Sequence, residues 1–147
     1  MPQYACDLSR TADGAKSVGS LVSGATLKRI RLFRLIFGCY GAPADNIFRW
    51  VLGRVTAAGT STPVVPVALN PADPACTTLA GANHTVEPTY TAAQSLLTVP
   101  LHQRATFHLE LAPGRELVSP ATAANGFGLL TPTMTALLVN AHVEFNE

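Results

Sequence analysis

Residues 135–145 read TALLVNAHVEF, and this stretch decides the fold class. Every second residue from Leu137 to Phe145 is apolar, and polar side chains such as Asn140, His142 and Glu144 stand between them. A period of two places one set of side chains on one face of an extended strand. The stretch therefore predicts a long strand whose apolar face packs on a core.

Seven further segments carry the same kind of signal and are separated by Gly, Pro and Asn turns. Pro63 and Pro66 remove two backbone donors, so the segment that contains them is predicted to be an edge strand. The predicted strands before residues 135–145 are 30–37, 47–52, 63–69, 95–101, 104–111, 116–118 and 128–130.

This pattern contains no convincing amphipathic helix and predicts an all-β fold, a β-sandwich or jelly roll of about eight strands. Residues 1–27 are rich in Gly and Ser and predict an extended N-terminal arm with at most one irregular strand, around residues 20–22. Residues 28–147 predict the β-sandwich domain. The predicted core consists of Leu32, Phe48, Trp50, Leu52, Phe107, Leu109, Val139 and Val143.

Charge is sparse in this chain. Only 13% of the residues are Asp, Glu, Lys or Arg, and none lies between Leu117 and Val143. Surface charge keeps small domains apart, so we expect the outer surface to be covered by neighbours, as a homo-oligomer with a trimer as one option. A net charge of +1 favours neither nucleic acid nor an anionic membrane as partner.

The sequence also bears on the redox state of the cysteines and on targeting segments. The three cysteines, Cys6, Cys39 and Cys76, are odd in number and widely spaced, so we expect reduced packing residues. Residues 1–7 have neither a basic nor an apolar region of the kind found in signal peptides. Prolines interrupt the uncharged stretches, so we expect no membrane-spanning helix.

No motif for catalysis or cofactor binding is present, and we expect neither an enzyme nor a metal site. His102 and His108 are about 20 Å apart along an extended chain, too far for one metal, and a site across strands with His142 is the weaker alternative. Trp50 fits a core anchor better than a ligand platform.

The one concentration of charge is the basic cluster Lys28, Arg29, Arg31 and Arg34. Three interpretations are open: a docking patch for an acidic partner surface, a solvated strand edge that prevents aggregation, and a nucleic-acid contact. The aromatic residues nearby, Phe33 and Phe37, follow a core pattern rather than the pattern of exposed stacking residues, which disfavours nucleic acid.

From Gly41 onward a succession of short segments stands in a characteristic order: GAPADN (41–46), TAAGTST (56–62), LNPADP (69–74), NHTVEPTYT (83–91), HQRATF (102–107), APGREL (112–117) and PATAANG (120–126). This succession resembles a family of small proteins of tailed bacteriophages that are usually carried without an assigned function. The resemblance covers roughly 100 residues and supplies no catalytic residues.

The resemblance implies a virion component, and small β-sandwiches of this size commonly serve as capsid cement or decoration proteins. The expected partner is then the major capsid protein, and the expected location is the capsid of a virion assembled in the host cytoplasm. The alternative is a tail, fibre or baseplate module that binds host surface glycan. Such a module needs an exposed aromatic and polar cleft, for which Tyr90 and Trp50 are the candidates.

Overall fold

The computed structural model describes residues 1–147 and is all-β, with about 60% of the residues in strands and no helix. Twelve strands are present, more than the roughly eight that the sequence predicts. They are β1 (Gln3–Thr11), β2 (Ser17–Val22), β3 (Arg31–Tyr40), β4 (Ile47–Ala57), β5 (Thr60–Val64), β6 (Val67–Ala68), β7 (Leu79–Val86), β8 (Thr89–His102), β9 (Thr106–Glu110), β10 (Leu117–Val118), β11 (Gly126–Leu130) and β12 (Leu138–Asn146).

The strands form two antiparallel sheets of six strands each, consistent with a β-sandwich. Sheet I has the order β10-β3-β12-β1-β6, and β9 pairs with β3 beside β10. Sheet II has the order β5-β7-β2-β11-β4-β8. The structure has no helix that is long and apolar enough to cross a membrane.

The core lies between the sheets and contains 23 buried residues from both of them. Phe37 of sheet I and Trp50 of sheet II meet there with ring centroids 4.5 Å apart. The alternating face of residues 137–145 is buried throughout, as its period of two predicts, because β12 lies in the interior of sheet I.

Six of the eight predicted core residues are buried, and Phe107 and Leu109 are half-buried instead. Both lie on β9, which is at the edge of sheet I and therefore has a neighbouring strand on one side only. Their side chains pack against the core cluster from its margin.

The N-terminal arm predicted over residues 1–27 is wrong, because this segment contains β1 and β2. β1 lies between β12 and β6, and every residue of β2 is buried. The small residues of this segment permit close packing. A Cβ added at Gly19 would stand 2.8 Å from the Cβ of Leu8 in the opposite sheet.

The predicted edge strand over residues 63–69 is divided into two edge strands. β5 contains Pro63 and ends sheet II, whereas β6 follows Pro66 and ends sheet I. The chain therefore crosses from one sheet to the other at Val65-Pro66. The prolines account for both the edge position and the break, since neither can donate to a ladder.

Candidate functional site

The four basic residues predicted to be a partner-binding site lie at one end of sheet I, but in different environments. Lys28 and Arg29 belong to the loop before β3, where Arg29 is exposed. Arg31 begins β3, and its charge contributes, after the hydrogen bonds from the backbone of Glu116 and Gly114, to lowering the pKa of Glu116. Arg34 lies further along β3 and is engaged by neighbouring side chains. Only the loop residues therefore present a basic surface without a close acidic partner.

Arg34 belongs to a row of polar side chains on the outer face of sheet I. Its guanidinium lies 3.0 Å from the carboxylate of Glu144 and donates from Nε to Nε2 of His108 at 3.2 Å. His142 adds contacts to Glu144 at 3.3 Å and to Asp7 at 3.0 Å. We name this row the charged ladder; it crosses strands β1, β12, β3 and β9.

The hydrogen bonds of the charged ladder distinguish its two histidines. Nε2 of His108 accepts a hydrogen bond from Arg34, so that nitrogen carries no proton. Both ring nitrogens of His142 lie within hydrogen-bond distance of carboxylate oxygens, those of Asp7 and Glu144. The ring of His142 therefore bridges Asp7 of β1 to the ion pair that Glu144 forms with Arg34.

Beside the charged ladder the same face has a shallow depression of about 390 Å³ around Gly38, which we call the Gly38 depression. Gly38 has no side chain to fill the space between Asn140 of β12 and Thr106 of β9, its partners in the sheet. Tyr40 stands at the rim with 47% of its surface exposed. The depression thus combines an exposed aromatic ring with uncharged hydrogen-bonding groups.

The two aromatic residues nominated for a glycan cleft do not form one. Trp50 is 1% exposed and lies in the core. The ring of Tyr90 lies against Gly53 and Gly128 of sheet II, where any added Cβ would collide with it. Burial raises the pKa of Tyr90. Trp50 is therefore closed to a ligand, whereas Tyr90 is half-buried and packs one side of its ring on these glycines.

Tyr90 instead belongs to a buried polar cluster at sheet II. Ser17 donates both its backbone N–H and its hydroxyl to the carboxylate of Glu87, and its hydroxyl also meets the hydroxyl of Tyr90. Arg10 donates to the Ser17 carbonyl at 2.8 Å. These contacts attach β1, β2 and β8 to the β7–β8 turn.

His84 extends this cluster towards β2. Its Nε2 lies 3.0 Å from the hydroxyl of Ser20, whereas its Nδ1 is buried without a hydrogen-bond partner. Burial lowers the pKa of His84, and the carboxylate of Glu87 opposes this shift without cancelling it. Ser20 is 3% exposed, and it also lines the apolar cavity beside β5 that is described next.

An apolar cavity of about 380 Å³ lies beside β5 and is lined by Pro63, Val64, Leu79 and Ala80 among others. Cys76 also lines it, and burial raises the pKa of its thiol to about 12. Burial likewise raises the pKa of Cys6 to about 12 and that of Cys39 to about 11. All three thiols are free and stay protonated at neutral pH.

The structure brings no group of three or more His, Cys, Asp or Glu side chains into metal-binding proximity. His102 lies near Asp45 and Arg104 at the end of β8, and His108 lies on the charged ladder. The charged ladder itself escaped prediction because Asp7 and His142 are 135 residues apart. The only sequence signal was the polar face of residues 138–144.

Comparisons with protein-family models, with curated proteins and with solved structures find no match for this chain.

Proposed function

We propose that the protein is a bacteriophage virion structural protein, and specifically a capsid cement or decoration protein that binds and stabilises the shell of the major capsid protein. The observation that carries this proposal is the order in which the strands pair. The low charge of the surface and the resemblance of residues 41–126 to phage proteins are in line with it.

Eight strand positions pair in a nested order. The first pairs with the last, β1 with β12, and the second with the seventh, β2 with β11. The third position, β3, pairs with the sixth, which β9 and β10 form together. The fourth position, β4, pairs with the fifth, β8. Pairing of β3 with β12 and of β4 with β11 then joins these four strand pairs into two sheets.

Nested pairing of this kind is the arrangement of a jelly roll, a fold used by viral capsid and lectin domains. We therefore interpret β5, β6 and β7 as an insertion between the fourth and fifth positions of a jelly roll. The insertion widens sheet II beside β2 and sheet I beside β1. This explains why twelve strands are compatible with a fold of eight positions.

A cement protein acts by occupying a surface in fixed proportion, without turnover. Mass spectrometry of purified particles from the virus that encodes the chain should find it at tens to hundreds of copies per particle. Added protein should bind capsids that lack it until a fixed ratio is reached. Absence from the particle, or binding that does not saturate, would refute the proposal.

The basic loop gives this experiment a variant. Arg29→Glu reverses an exposed charge beside Lys28 and should weaken binding to an acidic shell surface, more so at low salt. Arg49→Glu is the control, since Arg49 is exposed on β4 of the other sheet. Equal effects of the two substitutions would count against the basic loop as the docking surface.

The alternative function, a tail, fibre or baseplate module that binds host glycan, is favoured by the Gly38 depression. A sugar ring presents an apolar face that stacks on an aromatic ring and hydroxyls that pair with amide and hydroxyl groups. Tyr40, Asn140 and Thr106 supply these groups at one place.

Retention on immobilised polysaccharide tests this alternative. Tyr40→Ala should abolish retention, whereas Ile47→Ala should leave it unchanged because Ile47, although 73% exposed, does not line the depression. No retention of the unaltered protein on any host surface polysaccharide would eliminate the alternative and leave the capsid proposal standing.

A further inference from the structure

The sandwich has one long edge strand that carries no charged residue to discourage pairing with another chain. β8 ends sheet II, and its 14 residues make it the longest strand of the protein. No residue between Glu87 and Arg104 carries a formal charge, so β8 is uncharged along its whole length. None of its residues is buried.

The other edges each carry a feature that discourages such pairing. β5 contains Pro63, and β6 has only two residues and follows Pro66. β10 also has two residues, and β9 carries the exposed Glu110 within a five-residue strand. β8 has an irregular segment before Leu97, and residues 97–102 pair regularly with β4; Pro100 within them removes one backbone donor, so β8 differs from the other edges in its length and in its lack of charge.

The outward backbone groups of β8 have no partner within the chain. β4 is the only strand that pairs with β8. No backbone hydrogen bond outside the sheets involves residues 89–101 as donor, and only the carbonyl of Thr89 accepts from a side chain. An uncovered row of N–H and C=O groups is a template for an additional strand.

We propose that β8 pairs antiparallel with β8 of a second copy of this chain, so that two copies of sheet II join into one continuous sheet across a two-fold axis. An antiparallel strand is complementary to itself about such an axis, and an isologous contact of this kind closes as a dimer. Since the strand is uncharged, the two copies meet without like-charge repulsion. This interface stands whether or not the chain is a virion component.

Thr98 lies in the regular half of β8 and is exposed, which makes it the position for a blocking charge. Thr98→Lys places two lysines close to each other across the two-fold axis and should weaken dimerisation at least tenfold. Thr62→Lys is the matched control, since Thr62 is an exposed threonine on β5, the strand at the opposite edge of the same sheet.

Sedimentation velocity of the full chain from about 1 to 200 µM should show a concentration-dependent dimer, which Thr98→Lys shifts to monomer and Thr62→Lys leaves intact. Hydrogen exchange of the unaltered protein provides a second measurement that does not depend on a variant. Amide protection within residues 95–101 should increase with protein concentration, while that of β9 should not.

A protein that remains monomeric at 200 µM would overturn the proposal. So would a dimer that both substitutions weaken equally, or one whose formation leaves exchange in residues 95–101 unchanged. The purified chain alone is used throughout, so the result is separate from any assay of capsid or glycan binding.

Discussion

Phe37→Ala should be among the most destabilising single substitutions in this protein. Phe37 is 1% exposed and lies between the rings of Trp50, at 4.5 Å, and Phe107, at 4.8 Å. It is the side chain of sheet I that contacts the largest residue of sheet II. Its removal would leave a cavity at the centre of the contact between the sheets.

The size of the effect follows from burial. Replacing a fully buried Phe by Ala costs roughly 3–5 kcal/mol of unfolding free energy, which includes the cavity left behind. The loss of two aromatic partners places Phe37 in the upper half of that range, at about 4–5 kcal/mol. With a urea m-value of about 2 kcal/mol/M, the midpoint of unfolding should fall by roughly 2 M.

Phe107→Ala is the matched control, because it deletes the same atoms from a half-buried position at the sheet edge. We expect it to cost about half as much, since less apolar area returns to water. Urea unfolding of both variants, followed by tryptophan fluorescence and by circular dichroism, measures the two costs. Equal costs, or a midpoint shift below about 0.5 M for Phe37→Ala, would refute this view of the core.

Three further predictions concern polar and glycine positions. Burial lowers the pKa of His84, so the unfolded chain binds a proton at this residue more readily than the folded protein does. The contribution of His84 to the free energy of unfolding is therefore complete above pH 6.5 and should fall by up to about 1.4 kcal/mol per pH unit below it. Unfolding measured over a pH series should show this decline reduced in His84→Gln. Burial alone would raise the pKa of Glu147, but hydrogen bonds from Thr78 and Thr77 lower it below 4.5. Glu147→Gln should therefore cost about 1 kcal/mol at pH 7, and this cost should shrink as the pH falls below 4.5 and through the lowered pKa of the folded state; urea titrations over a pH series would measure the decline. Gly53→Ala would place a Cβ 2.9 Å from the ring of Tyr90 and should lower the melting temperature clearly. In a Tyr90→Ala background the same change should have little effect, because the ring is gone. An equal fall in melting temperature in both backgrounds would show that the ring is not what Gly53 accommodates.

The sequence by itself determined the class of fold and the faces of its best strands. The period of two in residues 137–145 needs only local geometry, because alternate side chains of any strand point to opposite faces. The edge position of residues 63–69 followed in the same way from the missing proline donors. Core residues on interior strands, such as Trp50 and Val139, were identified by the same pattern.

The prediction of an arm over residues 1–27 was wrong because Gly and Ser are frequent in two different structural settings. They are frequent in mobile segments, and they also permit close approach of packed strands. Gly19 and Ser20 belong to the second case, where the neighbours Leu8 and His84 fill the space that the small residues leave. Those neighbours are supplied by strands that are distant in the sequence, so composition could not reveal them.

Only the tertiary structure decided which polar residues act together. The charged ladder joins Asp7 to His142 and Arg34 to Glu144 because β1, β12 and β3 are adjacent in sheet I, and this adjacency depends on the register of strands more than 100 residues apart. The same holds for the exposed edge of β8, since a strand is at an edge only when the whole sheet is assembled. Alternation along one strand is local and can be read from the sequence, whereas the identity of its neighbours is a property of the complete fold.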